Sequence, residues 1–149
     1  MARTERRWLY HNTPSWIRPD NERFFITICC KERGREQLTQ PKVAEGIFAS
    51  IDFGQERGDW HMRLLLLMPD HLHMIASFPD HIASMSKSIS DWKRLMARRH
   101  KIVWQKAFFD HRLRSDAALD EKAAYIRMNP VHAGLCKKPE DWPYAWEQW

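Results

Sequence analysis

The chain has 149 residues, 44% of them hydrophobic and 29% charged, with 24 basic against 19 acidic side chains and a net charge of +5. That is the balance of a compact domain with a real core rather than of a disordered or membrane-embedded chain; the longest apolar run, Leu64 to Pro69, falls far short of the ~20 residues that cross a bilayer. The three cysteines, Cys29, Cys30 and Cys136, have no framework spacing, which argues against a disulfide scaffold.

In chain order, residues 1–22 are polar, aromatic and rich in proline, and read as an extended arm packing by its aromatics. The charged start has no apolar stretch behind it, so it is not a secretory signal, and the expected location is the cytoplasm. Arg23 to Cys30 is β-branched and aromatic, hence a strand. Pro41 suits the first turn of a helix. Val43, Ile47, Phe48 and Ile51 continue that helix at helical spacing towards Gly58. Trp60 to Met68 is a second strand, so continuously apolar that it belongs in the middle of a sheet. Pro69-Asp70 breaks the chain, and His71 to Phe78 returns as the third strand of an antiparallel hairpin. Ile82 to Lys101 is a helix with Ile82, Met85, Ile89, Trp92, Leu95 and Met96 on one stripe and bases opposite. Val103 to Leu113 reads as a fourth strand. Asp116 to Met128 reads as a third helix, stopped ahead of Pro130 because the residue before proline disfavours α. Residues 130–149 form a tail whose Trp142, Trp146 and Trp149 are expected to fold back as a cap. The order βαββαβ plus a helix predicts an α+β fold, a ferredoxin-like split βαβ sheet with helices on one face, in a single domain over 1–149.

Three features could carry chemistry. His71 and His73 stand two apart in a strand and so share a face, where two imidazoles can grip one divalent ion. An isolated pair of this kind is more often two ordinary histidines. Tyr125 and Asn129 are four apart on the third helix and project from one side. A phenol titrates near pH ~10 and is a poor nucleophile unless a metal or a cation activates it. Asn129 offers a neutral oxygen as a third ligand, although taken alone these two are better read as a half-buried helix aromatic and a C-cap. Lys93, Arg94, Arg98 and Arg99 in the second helix, with Arg112 and Arg114 after it and Arg127 on the third, could contact phosphates without regard to sequence; a solvated helix face explains the stripe about as well. Phosphate-binding loops, GxGxxG turns and CxxC pairs are absent, so nothing supports a nucleotide cofactor or structural zinc.

Taken together the residues resemble a known family. Met68-Pro69-Asp70-His71-Leu72-His73 resembles the His-hydrophobic-His strand of the HUH single-tyrosine transposases, and Tyr125 to Leu135 (YIRMNPVHAGL) resembles the tyrosine helix of the same superfamily. Trp16, Asp91-Trp92-Lys93-Arg94, Trp104-Gln105, Phe108 to Arg112 and Pro139 to Pro143 are similar to one branch, the REP-associated tyrosine transposases. The resemblance implies a metal-dependent, site-specific single-strand endonuclease and strand transferase acting on hairpin DNA. His71 and His73 would hold Mg²⁺ or Mn²⁺, Asn129 would complete the site, and Tyr125 would form a 5′-phosphotyrosine. Arg127 and Met128 stand where relatives often carry acidic or amide residues. The same resemblance allows either a homodimer that exchanges the tyrosine helix or a monomer. The alternative on this fold is a non-catalytic binder of single-stranded nucleic acid, indifferent to loss of the histidines. A small metal hydrolase is disfavoured, since no carboxylate is evidently paired as a base.

Overall fold

The structure, a computed structural model, describes residues 16, 22–79 and 84–149 together with the backbone at 7–8 and 82–83. Its elements are β1 (Arg7–Trp8), β2 (Arg23–Cys29), α1 (Pro41–Arg57), β3 (His61–Leu67), β4 (His71–Ser77), α2 (Ile82–His100), β5 (Phe109–Leu113), α3 (Asp116–His132), a 3₁₀ turn (Pro139–Asp141) and β6 (Ala145–Glu147).

Six strands form one sheet in the order β1-β6-β3-β4-β2-β5. Four of them, β3-β4-β2-β5, are antiparallel throughout and have the strand order of a ferredoxin-like split βαβ unit, as the element order predicts. Leucines 64 to 67 of β3 and residues 72 to 76 of β4 are buried on both faces, which is why these segments are apolar without alternation.

Register assigns the two faces. His71, His73 and Ile75 of β4 stand opposite Cys29, Thr27 and Phe25 of β2, and His73 stands opposite Leu66 of β3, so these side chains share one face. Leu72, Met74 and Ala76 point to the other face. There Trp146 of β6, level with Leu65, donates from Nε1 to Asp52 of α1 at 2.8 Å, and Trp92 of α2 donates to Ser50 of α1 at 2.8 Å. Thus α1 and α2 cover the face away from the histidines, and α3 covers the histidine face. Close approach on the α1 side needs glycine: a Cβ at Gly54 would sit 2.1 Å from the Trp60 ring, and one at Gly46 would sit 2.3 Å from the His100 ring.

Three expectations are corrected. The fourth strand is short, Phe109–Leu113 rather than Val103 to Leu113. Lys101, at φ 56°, turns the chain out of α2, and Trp104 then contributes a single bridge to Cys30 before an irregular stretch. α3 does not stop before Pro130; it runs on to His132. Proline forgoes one ladder hydrogen bond there, but its ring is buried with Leu119, Ala123 and Ile126 on the stripe facing the sheet. The tail is more than a cap, since β6 adds a strand beside β3 and itself pairs with β1 in parallel. Trp142 Nε1 donates to the Leu67 carbonyl at 2.9 Å. Of the expected N-terminal arm, residues 1–6, 9–15 and 17–21 lie outside the described residues; Trp16 does pack inward, donating to the Gly58 carbonyl at the end of α1 at 3.0 Å.

Candidate active site

Strand β4 brings His71 and His73 together on one face. Their ring centroids are 4.9 Å apart and the planes nearly perpendicular, at 76°. Each ring is oriented through Nδ1. His71 Nδ1 donates to Asp70 at 2.8 Å. His73 Nδ1 lies 2.9 Å from Thr27 Oγ1, the residue level with it on β2. Because a carboxylate accepts from His71 Nδ1, the Nε2 of that ring is left to bind something else; His73 presents Nε2 in the same way in the tautomer whose Nδ1 donates to the Thr27 hydroxyl, the arrangement that metal-ligating imidazoles need.

Asp70 is the hub of this end. It accepts from the Gly34 backbone N–H at 2.8 Å and from Arg33 Nε at 2.9 Å in addition to His71. Burial works to raise its carboxyl, but these hydrogen bonds outweigh burial and hold it far below the usual carboxylate range. His73 is only 7% exposed. Burial, followed by the charges of His71 and Lys122, pushes it down to about 3, so the ring is neutral at ordinary pH with its lone pair available.

The donor chemistry therefore fits a divalent ion in part. Two imidazoles are oriented towards one another for it, but among the described residues no third histidine, cysteine or carboxylate joins them. Among the described residues Asn129, half-buried one turn beyond Tyr125 on α3, offers a neutral oxygen.

Tyr125 projects from the edge of α3 and is 53% exposed. It is connected to the histidines through two side chains. Phe25 stacks on His73 at 5.4 Å between centroids. Lys122 Nζ lies 4.6 Å from the Phe25 centroid and 5.0 Å from that of Tyr125. Within one chain, Phe25 and Lys122 thus form a run of contacts from His73 to Tyr125.

The basic candidates divide sharply. Lys93 is 9% exposed, and its ammonium donates to the carbonyls of Gln105 and Lys106, pinning the stretch before β5. Arg127 makes an ion pair with the buried carboxylate of Glu147 at 2.6 Å and lies over the Trp149 ring, tying α3 to the tail. Arg94 pairs with Asp91 and Arg112 with Glu22. Arg98, Arg99 and Arg114 are exposed, with no ion-pair partner among the described residues. Because α2 lies across the sheet from α3, Arg98 and Arg99 are not beside the histidines.

Asp70, Thr27, Phe25 and Lys122 were not among the residues expected from sequence. Asp70 carried a signal, an acid directly ahead of the histidine strand, and Lys122 stands three residues before Tyr125, one helical turn away. Thr27 and Phe25 became visible only with the β2–β4 register.

No family model matches the chain. By sequence it is similar to a REP-associated tyrosine transposase of Escherichia coli strain K12, 26% identical over 124 residues that span 82% of this chain and 74% of that protein. A Haemophilus influenzae protein assigned to the same class is 24% identical over 138 residues, spanning 82% of this chain and 77% of that one. In fold the chain is similar to a REP-associated tyrosine transposase solved bound to a REP hairpin, with a TM-score of 0.66 at 20% identity, covering 92% of this chain and 82% of the other. The relatives are of the class that the histidine and tyrosine motifs resemble, and the α+β sheet is theirs too.

Proposed function

We propose that this chain, a relative of the REP-associated tyrosine transposases, is an enzyme that cuts and rejoins single-stranded DNA next to a hairpin. The observation that carries the reading is the presence, on one face of one chain, of two oriented histidines and an exposed tyrosine joined by Phe25 and Lys122. Tyr125 Oη attacks the scissile phosphorus. The Oη–P bond forms, the P–O3′ bond breaks, the phenolic proton passes to water, and the departing 3′ oxygen takes up a proton. The 5′ phosphate is left esterified to Tyr125. A 3′-hydroxyl from another strand reverses the same exchange, so no external energy source is required.

Mg²⁺ or Mn²⁺ held by the Nε2 atoms of His71 and His73, with the Asn129 oxygen as third ligand, would polarise the phosphate. Asp70 and Thr27 fix the two imidazoles, and Phe25 stacks on His73 and keeps its ring from swinging. Of the basic residues picked out from the sequence, Arg98, Arg99 and Arg114 are the exposed ones that could meet DNA backbone phosphates away from the cleavage point. Such a substrate puts the reaction where the cell's DNA is, which agrees with the expected cytoplasmic location.

The test is to incubate the protein with Mg²⁺ or Mn²⁺ and hairpin oligonucleotides carrying a randomised single-stranded flank, then look for a denaturation-resistant protein–DNA adduct. Wild type forms the adduct and Tyr125→Phe does not; an adduct that survives Tyr125→Phe, or none from wild type, refutes the reading. A non-catalytic binder is the second reading, favoured by the exposed arginines remote from the histidines. It requires hairpin binding without adduct formation, unchanged in His71→Ala and His73→Ala.

A further inference from the structure

Lys122 is a half-buried cation with no acidic partner among the described residues. Its neighbours on the helix surface, at positions 118, 119, 125 and 126, are Ala, Leu, Tyr and Ile, so α3 itself supplies no carboxylate to balance it. The sheet supplies none either: what faces it there is the Phe25 ring, which is stacked on His73. A lysine stem packs readily on aromatic rings with its charge left in water. Here the ammonium lies instead over two rings at once, one belonging to Tyr125 and the other touching His73. The position is positive, partly desolvated and open on its Tyr125 side.

We infer that Lys122 binds the scissile phosphodiester directly, its ammonium meeting a non-bridging oxygen while Tyr125 attacks. This rests on the cleavage reading above. The charge does two things. It draws one particular phosphate to the edge of α3 rather than the backbone at large, and it offsets the negative charge that builds on the phosphoryl oxygens in the transition state. Neither action needs the lysine to lose a proton.

The experiment separates charge from packing. Lys122→Met keeps the apolar stem and Lys122→Arg keeps the charge. With the cleavage junction mapped from the wild-type adduct, adduct formation at saturating hairpin DNA should fall roughly 100-fold in Lys122→Met, and Lys122→Arg should recover most of it. A second readout needs no catalysis. In EDTA, hairpin affinity is measured against salt using DNA with either a natural phosphate or an uncharged methylphosphonate at the junction. Lys122→Met should lower the salt slope by about 0.7, the value for one single-strand phosphate contact. The methylphosphonate should lower the wild-type slope equally and leave Lys122→Met unchanged, because both remove the same contact.

If Lys122→Met cleaves like wild type, or if the lysine and methylphosphonate effects simply add, Lys122 does not meet that phosphate, while the cleavage reading stands. If wild type forms no adduct at all, the cleavage reading falls and this inference falls with it. Thermal melting of both variants distinguishes a misfolded protein from a folded one. Should Lys122→Met not fold, Lys122→Gln takes its place: a slope about 0.7 below wild type that the methylphosphonate does not lower further supports the contact, and effects that add overturn it.

Discussion

The two halves of the site are held in different ways. The histidines sit on a central strand, with Nδ1 of each fixed by a neighbour and one ring nearly out of solvent. Tyr125 sits on the rim of a helix, more than half exposed, with the Lys122 cation over its ring. A metal-binding pair gains from rigidity, since ligand orientation decides affinity. A nucleophile that becomes bonded to DNA has to accept a strand, carry it and release it, which suits an exposed edge. The difference teaches that orientation at the histidines is built into the sheet, while the rim of α3 leaves Tyr125 open to solvent, as the proposed cleavage reaction asks of it.

That contrast can be broken experimentally, with the largest effect first. Tyr125→Phe should abolish the covalent adduct yet leave stability within about 0.5 kcal/mol, as expected of an exposed position; a gel assay and a denaturant melt on the same sample check both. His73→Ala should reduce cleavage by at least ~100-fold and also cost about 2 kcal/mol, because it opens a cavity beneath Phe25 and strips Thr27 of its partner. If the histidine variant proves as stable as the tyrosine variant, the two halves are not held differently after all.

Asp70→Asn sharpens the same point one contact further out. It keeps the shape but removes the charge shared by Arg33, Gly34 and His71. Divalent-ion affinity, followed by calorimetry, should fall about 10- to 100-fold, with hairpin binding in EDTA unchanged.

Acid should act on the sheet rather than on the tyrosine. His61, buried at the start of β3, is pushed down to about 4 by burial and then by the Arg63 charge. The unfolded chain binds that proton near pH ~6.5. Stability present above the unfolded value is therefore lost as pH falls towards the folded one, between about pH 6.5 and 4, and the loss levels off below. The cost is on the order of 2 kcal/mol, and urea melts of wild type and His61→Gln across this window should converge as pH falls. The smallest effect belongs to the outlying cations. Arg98→Ala, Arg99→Ala and Arg114→Ala should each lower the salt slope of DNA binding by less than about 1 without altering the mapped junction.

The part of the site legible in the sequence was the part that depends on local period. Two residues apart in a strand means one face, and four apart in a helix means one side, so the histidine pair and the Tyr125–Asn129 pair could be read directly. The ferredoxin-like strand order was legible for the same reason, from alternating runs and breaks. What could not be read were choices between long-range partners. Lys93 and Arg127 look like Arg98 and Arg99 in sequence, yet two are consumed by backbone carbonyls and by Glu147 while two stay in water. Pro130 signalled a helix end by its local preference, and burial against the sheet overrode it. The tryptophans of the tail announced packing, but their spacing said nothing about a strand pairing with β3.

That strand gives the molecule an order of assembly. Chains fold broadly as they are made, N-terminal parts first, and β6 is synthesised after every element it holds. The histidine hairpin can form as soon as β3 and β4 exist, and β2 is already there to orient His73. The Arg127 tether and the hydrogen bond from Trp142 to Leu67 cannot form until Trp142 and Glu147 arrive. A chain interrupted before its tail would therefore hold an oriented histidine pair beside an α3 that lacks its tether to Glu147; on the proposed reading, the residues that would hold the metal are in place before the nucleophile is moored.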